Sequence, residues 1–286
     1  MLADLIGHQI TAQVMDENEE YVFAQAEGLT FRLAKKELLK LPKLGANITG
    51  FAYENEDHQL QLTKIVPKIG IDRYAWGEVV NVNRSLGVFV DIGLPNKDVA
   101  VSLDELSELT NLWPKKGDRL MIGLKVDSKG RLWGDLASEE MIHAVSVKAE
   151  NKLKNKDVTA TVYRLKIVGS YVITTDYNLG FIHPTERDEE PRLGQVVHAR
   201  VIGVRDDGTL NLSLKPRAYE AISDDAQMLL AALQHSADKT LPFTDKSTPD
   251  EIKAYFGISK GQFKRAVGHL MKAGLVQQKD GLLVLN

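Results

Sequence analysis

The chain has 286 residues, with 36 Lys and Arg against 39 Asp and Glu, an apolar fraction of 43%, 22 Gly, 9 Pro and no cysteine. That apolar content and near-balanced charge exclude a disordered chain, and the absence of cysteine excludes a disulfide framework, a thiol nucleophile and a thiolate metal site. The N-terminus MLADLIGHQITAQVMDENEE lacks the basic region and apolar run of a secretory signal, and no stretch reaches the ~18 apolar residues of a membrane span, so a soluble cytoplasmic protein is expected.

In chain order, the first unit carries YVFAQA near Tyr21, then LGANITGFAY, then LQLT. The second repeats that order with GVFVDIG near Phe89, KGDRLMIGLKV and LWGDL, and the third with SYVITT near Tyr171, LGQVVHARVIGV and LNLSL. Gly45, Gly117 and Gly194 are spaced by 72 and 77 residues, and Leu60, Leu132 and Leu210 by 72 and 78, so two independent markers give one repeat. Each unit holds short period-2 strands broken by Gly, Asp and Asn turns, which predicts a small antiparallel barrel. In the second unit Val88, Val90 and Ile92 share one face and Phe89 and Asp91 the other, which puts the aromatic outside. One such ring is accounted for by packing against a loop. Recurrence at Tyr21, Phe89 and Tyr171 points instead to a base-stacking surface.

The last 70 residues or so read differently. DDAQMLLAALQHS is an amphipathic helix capped by Ser223 or Asp224. A second helix opens with Thr248 as N-cap, Pro249 at its first position and Glu251 two positions later. After FGIS, a third helix places Phe263, Val267, Leu270 and Met271 on one apolar stripe, and QQKDGLLVL forms a hairpin around Asp280 and Gly281. The exposed face of that third helix carries Lys260, Lys264, Arg265, His269 and Lys272, a set suited to phosphates or simply to solvent.

The middle repeat, WGEVVNVNRSLGVFVDIG followed by VDSKGRLWGDL, resembles the S1 RNA-binding domain, an OB-fold barrel. The C-terminal order of elements resembles a winged helix. By the S1 resemblance Phe89 stands at the second stacking aromatic and Asp127 and Arg131 at the polar pair of the DxxGR turn, with Leu86 and Ser102 replacing the first aromatic and the histidine. In the third repeat Tyr171 takes the aromatic position, His183 the histidine, Val168 the first aromatic, and Arg205 and Thr209 the polar pair. Arg164, Lys166, Arg200 and Lys215 lie nearby. The first repeat keeps Tyr21 but has Ala34, Asn55 and Gln59 at the other positions. Three S1-like barrels with a C-terminal winged helix resemble the conserved virulence factor B family of bacterial RNA-binding regulators, which implies post-transcriptional control of gene expression without catalysis.

The expected fold is therefore mainly β with a C-terminal α+β domain: S1-like barrels at residues 1–66, 67–145 and 146–216, a winged helix at 217–286, and linkers near 64–70, 140–156 and 215–221. The candidate RNA-binding residues are Arg84, Phe89, Asp127, Arg131, Arg164, Lys166, Tyr171, His183, Arg205, Lys260, Lys264, Arg265 and Lys272. No metal or cofactor is expected, since the seven histidines form no zinc-hydrolase motif and no phosphate loop or converging carboxylate set is present. The expected partner is single-stranded RNA, with duplex nucleic acid open to the winged helix. A DNA-binding transcription regulator and a protein-binding scaffold of the translation or transcription machinery are the competing readings. Residues 1–64 carry a net charge of −4, 65–145 of −2, 146–216 of +2 and 217–286 of +1, so most binding is expected in the C-terminal half.

Overall fold

Alternation of buried aliphatic and exposed polar residues closes the chain into a barrel three times in succession. The computed structural model describes residues 2–216 and 223–286, which fall into two units, to Leu214 and from Lys215. After a short helix α1 (Leu2–Leu5), the first barrel comprises β1 (Gln9–Glu17), β2 (Tyr21–Ala26), β3 (Leu29–Ala34), β4 (Asn47–Glu54) and β5 (Leu60–Thr63). The second comprises β6 (Ala75–Asn83), β7 (Gly87–Leu94), β8 (Lys97–Ser102), β9 (Arg119–Val126) and β10 (Leu132–Leu136). After helix α2 (Glu139–Val145) the third comprises β11 (Asp157–Lys166), β12 (Gly169–Thr174), β13 (Leu179–Ile182), β14 (Val196–Val204) and β15 (Leu210–Ser213). All three are closed five-stranded rings of one topology, in which the third and fifth strands pair in parallel.

The same devices recur in each ring. Inward positions are aliphatic or Phe: Val22, Phe31 and Leu33, then Val88, Val90 and Val101, then Val172, Ile182 and Leu212, each at most 1% exposed. A β-bulge interrupts the first strand between Val14 and Asp16, Val79 and Asn81, and Val162 and Arg164. Gly45, Gly117 and Gly194 have φ of 80°, 89° and 77° just before the fourth strand, a left-handed turn that side chains oppose, which explains the repeat spacing.

The barrels of the first unit are not beads on tethers. Ile69, in the segment expected as the first linker, is 2% exposed within an apolar core shared by barrels 1 and 2, and the Tyr53 hydroxyl donates to the Pro95 carbonyl at 2.7 Å. The stretch 140–156, also expected as a linker, contains most of α2. Ser138 caps this helix, and its one buried residue, Ile142, packs with Met121 of barrel 2 and Ile173 of barrel 3. Barrels 2 and 3 are further joined by an Arg192–Asp118 ion pair and by Arg119 N–H donating to the Gly194 carbonyl at 2.9 Å. The linker expected at 215–221 lies, from residue 217 on, outside the described residues.

The second unit orders α3 (Asp224–His235), β16 (Thr240–Leu241), α4 (Pro249–Phe256), α5 (Lys260–Lys272), β17 (Val276–Lys279) and β18 (Leu282–Leu285), with a β16-β18-β17 sheet. This is a winged helix. Strand β16 escapes a sequence reading because two residues carry no alternation. Capping boxes start α4 at Thr248 and Glu251 and α5 at Ser259 and Gln262, and Asp280 and Gly281 at φ of 50° and 81° make the hairpin turn. The apolar stripe of α5 is corrected at one position: Met271 is 45% exposed, and the small Ala266 at 1% fills the core with Phe263, Val267 and Leu270. Among the described residues no helix is long and apolar enough to cross a membrane.

Candidate nucleic-acid interface

The bulge in the first strand of each barrel turns an outward residue toward the second strand, and strand pairing continues that row across the surface. In barrel 2 the row runs Asn81, Phe89, Ala100, Trp133; in barrel 3, Arg164, Tyr171, Phe181, Asn211; in barrel 1, Asp16, Phe23, Arg32, Gln61, of which Gln61 is buried at 2% exposure. The rings of Phe89, Trp133, Tyr171 and Phe181 are half-buried. Register also corrects the first repeat. Phe23, not Tyr21, is the counterpart of Phe89 and Tyr171, since Tyr21 pairs with Ala34 as Gly87 pairs with Ser102.

Barrel 3 carries the richest face. Tyr163, Tyr171, Phe181 and His183 form a ladder with ring centroids 6.4, 5.2 and 6.4 Å apart. Lys166 Nζ lies 5.0 Å from the Tyr171 centroid and the Arg205 guanidinium 5.0 Å from that of Phe181, so cations sit against the rings. Burial pushes the Tyr163 hydroxyl up to about 12, with Glu139 next in effect, so this ring stays neutral. In barrel 2 the Arg131 guanidinium is 5.4 Å from the Trp133 centroid. Barrel 1 has Arg32 4.7 Å over Tyr21, but the acidic Asp16 takes the place of Arg164.

The turn before each fifth strand holds that row through a bond between side chains six residues apart. Asn55 Nδ2 donates to Gln61 Oε1 at 3.1 Å, Trp133 Nε1 donates to Asp127 Oδ2 at 3.2 Å, and Arg205 Nε donates to Asn211 Oδ1 at 2.8 Å. The expected pair of Asp127 and Arg131 exists, with Arg131 Nε donating at 2.7 Å. Against the upward push of desolvation, hydrogen bonds from the Arg131 amide and side chain and from Trp133 hold the Asp127 carboxyl far below its ordinary range. Arg205 and Thr209 do not pair through side chains as expected. Their contact is between backbones, and the long Arg205 side chain reaches Asn211 instead.

Ala34, Ser102 and His183 occupy one structural position, the cap of a short 3-10 turn after the third strand. His183 Nδ1 accepts from the Thr185 amide at 3.2 Å, which leaves Nε2 as the ring's donor. Leu86 and Val168, where S1 domains usually have their first aromatic, are 48% and 59% exposed.

Several expected phosphate contacts are already occupied. Glu139 Oε1 receives Arg164 Nε at 2.8 Å and Lys166 Nζ at 2.7 Å, and the Lys166 hydrogen bond holds the Glu139 carboxyl below its ordinary value. Lys125 lies between Glu105 and Asp135. Arg84 is exposed in the β6–β7 turn, and on α5 Lys264, Arg265 and Lys272 are exposed and Lys260 partly so. The sequence reading missed Phe23, Trp133, Tyr163, Phe181 and Glu139. Phe181 and Trp133 were open to it, because each alternates against a buried neighbour, Ile182 or Leu132.

The comparisons match the order of three barrels followed by a winged helix. Residues 6–64 match the S1 domain, 74–135 the CvfB first S1-like domain, 142–216 the second domain of virulence regulatory factor CvfB, and 227–285 the CvfB-like winged helix domain. The "Conserved virulence factor B" of Staphylococcus epidermidis is 36% identical over 99% of this chain and 95% of its own length. The chain belongs to the conserved virulence factor B family. Another relative is the "Uncharacterized protein YitL" of Bacillus subtilis, 41% identical over 96% of this chain and 92% of its own. A crystal structure of a multidomain protein with nucleic acid binding domains from Streptococcus pneumoniae superposes with a TM-score of 0.71 at 48% identity, covering 99% of each chain.

Proposed function

We propose that this chain binds single-stranded RNA without catalysing a reaction on it, and acts in the cytoplasm as a post-transcriptional regulator, with functional divisions at 1–66, 67–145, 146–216 and 217–286. The observation that carries the reading is the aligned outer row of barrels 2 and 3, where Phe89 and Trp133, and Tyr171 and Phe181, offer ring faces flanked by Arg131, Lys166 and Arg205. Unpaired bases stack on such rings whatever their identity, and a duplex hides those base faces in its own stack. His183 adds a donor at the end of the barrel 3 ladder, and Lys260, Lys264, Arg265 and Lys272 of α5 supply phosphate contacts. The name of the family model for residues 142–216, a virulence regulatory factor, and the nucleic acid binding domains named for the pneumococcal relative support the same assignment.

Barrel 1 contributes least, because Asp16 stands where barrel 3 has Arg164 and the row contains one aromatic. The test is competition on the full chain: a labelled uridine-rich 12-mer RNA is challenged with unlabelled single-stranded RNA or duplex DNA of equal length. Single-stranded RNA displaces the probe at lower concentration, and affinity falls as salt rises. Displacement by duplex DNA at lower concentration would overturn the reading in favour of a DNA-binding regulator led by the winged helix.

A further inference from the structure

Two groups of cations flank Phe89 in barrel 2, and the difference between them bears on where a phosphate chain can lie. On the β10 side of Phe89, Arg131 is held by Asp127 and Lys125 by Glu105 and Asp135, which leaves the exposed Lys129 as a single cation in that turn without an ion pair to a described residue. On the β6 side, beyond Asn81, a cleft of about 410 Å³ is lined by Arg84, Trp113, Lys115 and Lys116. All three of these cations are exposed, and none forms an ion pair with another described residue.

We infer that the sugar–phosphate backbone of a single-stranded nucleic acid runs through barrel 2 along this cleft, with its bases turned toward Phe89, and not along the turn of Asp127 and Arg131. The inference rests on the RNA-binding reading above. Its physical basis is the cost of exchange. A phosphate that meets Arg131 must first displace a carboxylate, so one internal ion pair is lost for the one gained. A phosphate that meets Arg84 or Lys116 displaces only water and mobile counterions, whose release drives association. Register supplies the geometry: Asn81 is the bulge partner of Phe89 and also lines the cleft, so stacking ring and cations are one strand apart. The cleft has a direction as well. Lys115 also borders a groove lined by Asp188, Glu189 and Glu190, which repels phosphate and turns the chain toward Arg84.

The experiment titrates the full chain with a fluorescein-labelled uridine 12-mer RNA at several potassium chloride concentrations, following anisotropy. The Arg84→Ala/Lys116→Ala variant is expected to bind more weakly at low salt. Its slope of log affinity against log salt should be shallower by about 1.4, at about 0.7 per lost phosphate contact on a single strand. Arg131→Ala, which removes a cation held by Asp127 and set against the Trp133 ring, is expected to weaken binding while making the slope shallower by less than the double variant does. Both sites are exposed, so an unchanged melting temperature verifies the fold, and Lys116→Glu gives a second, larger decrease. A shallower slope for Arg131→Ala than for the double variant would overturn the path while leaving RNA binding in place. Failure of the unsubstituted chain to bind the probe would overturn the RNA reading and the path together.

Discussion

Replacing Arg192 with alanine tests whether barrels 2 and 3 are locked by charge. Arg192 Nε and its Nη2 donate to the Asp118 carboxylate at 2.6 and 2.8 Å, and the same carboxylate accepts the Lys115 amide at 2.7 Å. The Asp118 side chain is 6% exposed and that of Arg192 24%. Removing the guanidinium leaves a buried carboxylate with one remaining donor. Breaking such a pair costs roughly 3 to 5 kcal/mol, and because Arg192 is a quarter exposed, water partly replaces it, so a loss of about 3 kcal/mol is expected. The repeat supplies a control: Pro42-Lys43-Leu44-Gly45 copies Pro191-Arg192-Leu193-Gly194, but Lys43 has no ion pair with a described residue and Leu44 is 68% exposed. Lys43→Ala should change stability by less than about 0.5 kcal/mol. All three tryptophans, Trp76, Trp113 and Trp133, lie in barrel 2, so urea unfolding followed by their fluorescence reads the affected side directly. A loss below about 1 kcal/mol for Arg192→Ala, or an equal loss for Lys43→Ala, would refute the reasoning.

Gly87→Ala should destabilise the protein by about 2 to 4 kcal/mol in thermal unfolding, because an added Cβ would stand 2.0 Å from the Val101 carbonyl at φ of 125°; a neutral result would mean the β7–β8 pairing differs. Glu139→Gln releases Arg164 and Lys166, so RNA affinity should rise and its salt dependence steepen in anisotropy titrations, and weaker binding would show that Glu139 positions those cations instead. The Glu139 carboxyl is lowered from an ordinary value of 4.5, so its contribution to stability is complete above that value and lost as pH falls through the lower native one; an NMR titration midpoint at or above 4.5 would contradict the pairing.

The repeat was legible in sequence because its markers answer a backbone requirement. Gly45, Gly117 and Gly194 all sit at left-handed turns, where glycine is the residue that fits without strain. Strand parity placed Phe89 outside the barrel for a similar reason, the period of two being a property of the strand itself. Parity is also why the first repeat was misaligned. Tyr21 and Phe23 are two residues apart and share a parity, so alternation cannot separate them, and only pairing with Ala34 and Arg32 fixes which one matches Phe89. Contacts across the chain left no sequence signal at all. Glu139 meets Arg164 and Lys166 only because Ile142 anchors α2 between two barrels, and the helix periodicity that put Met271 on the apolar stripe did not show that Ala266 is buried in the core and Met271 is not.

The central claim is that bases stack on the outer rows of barrels 2 and 3, and ultraviolet crosslinking of a uridine-rich RNA to the full chain, with the attached peptides identified by mass spectrometry, tests it most directly. Crosslinks at Phe89, Trp133, Tyr171 and Phe181 are the predicted result; crosslinks confined to barrel 1 or to α5, with these four rings unmodified, would contradict it.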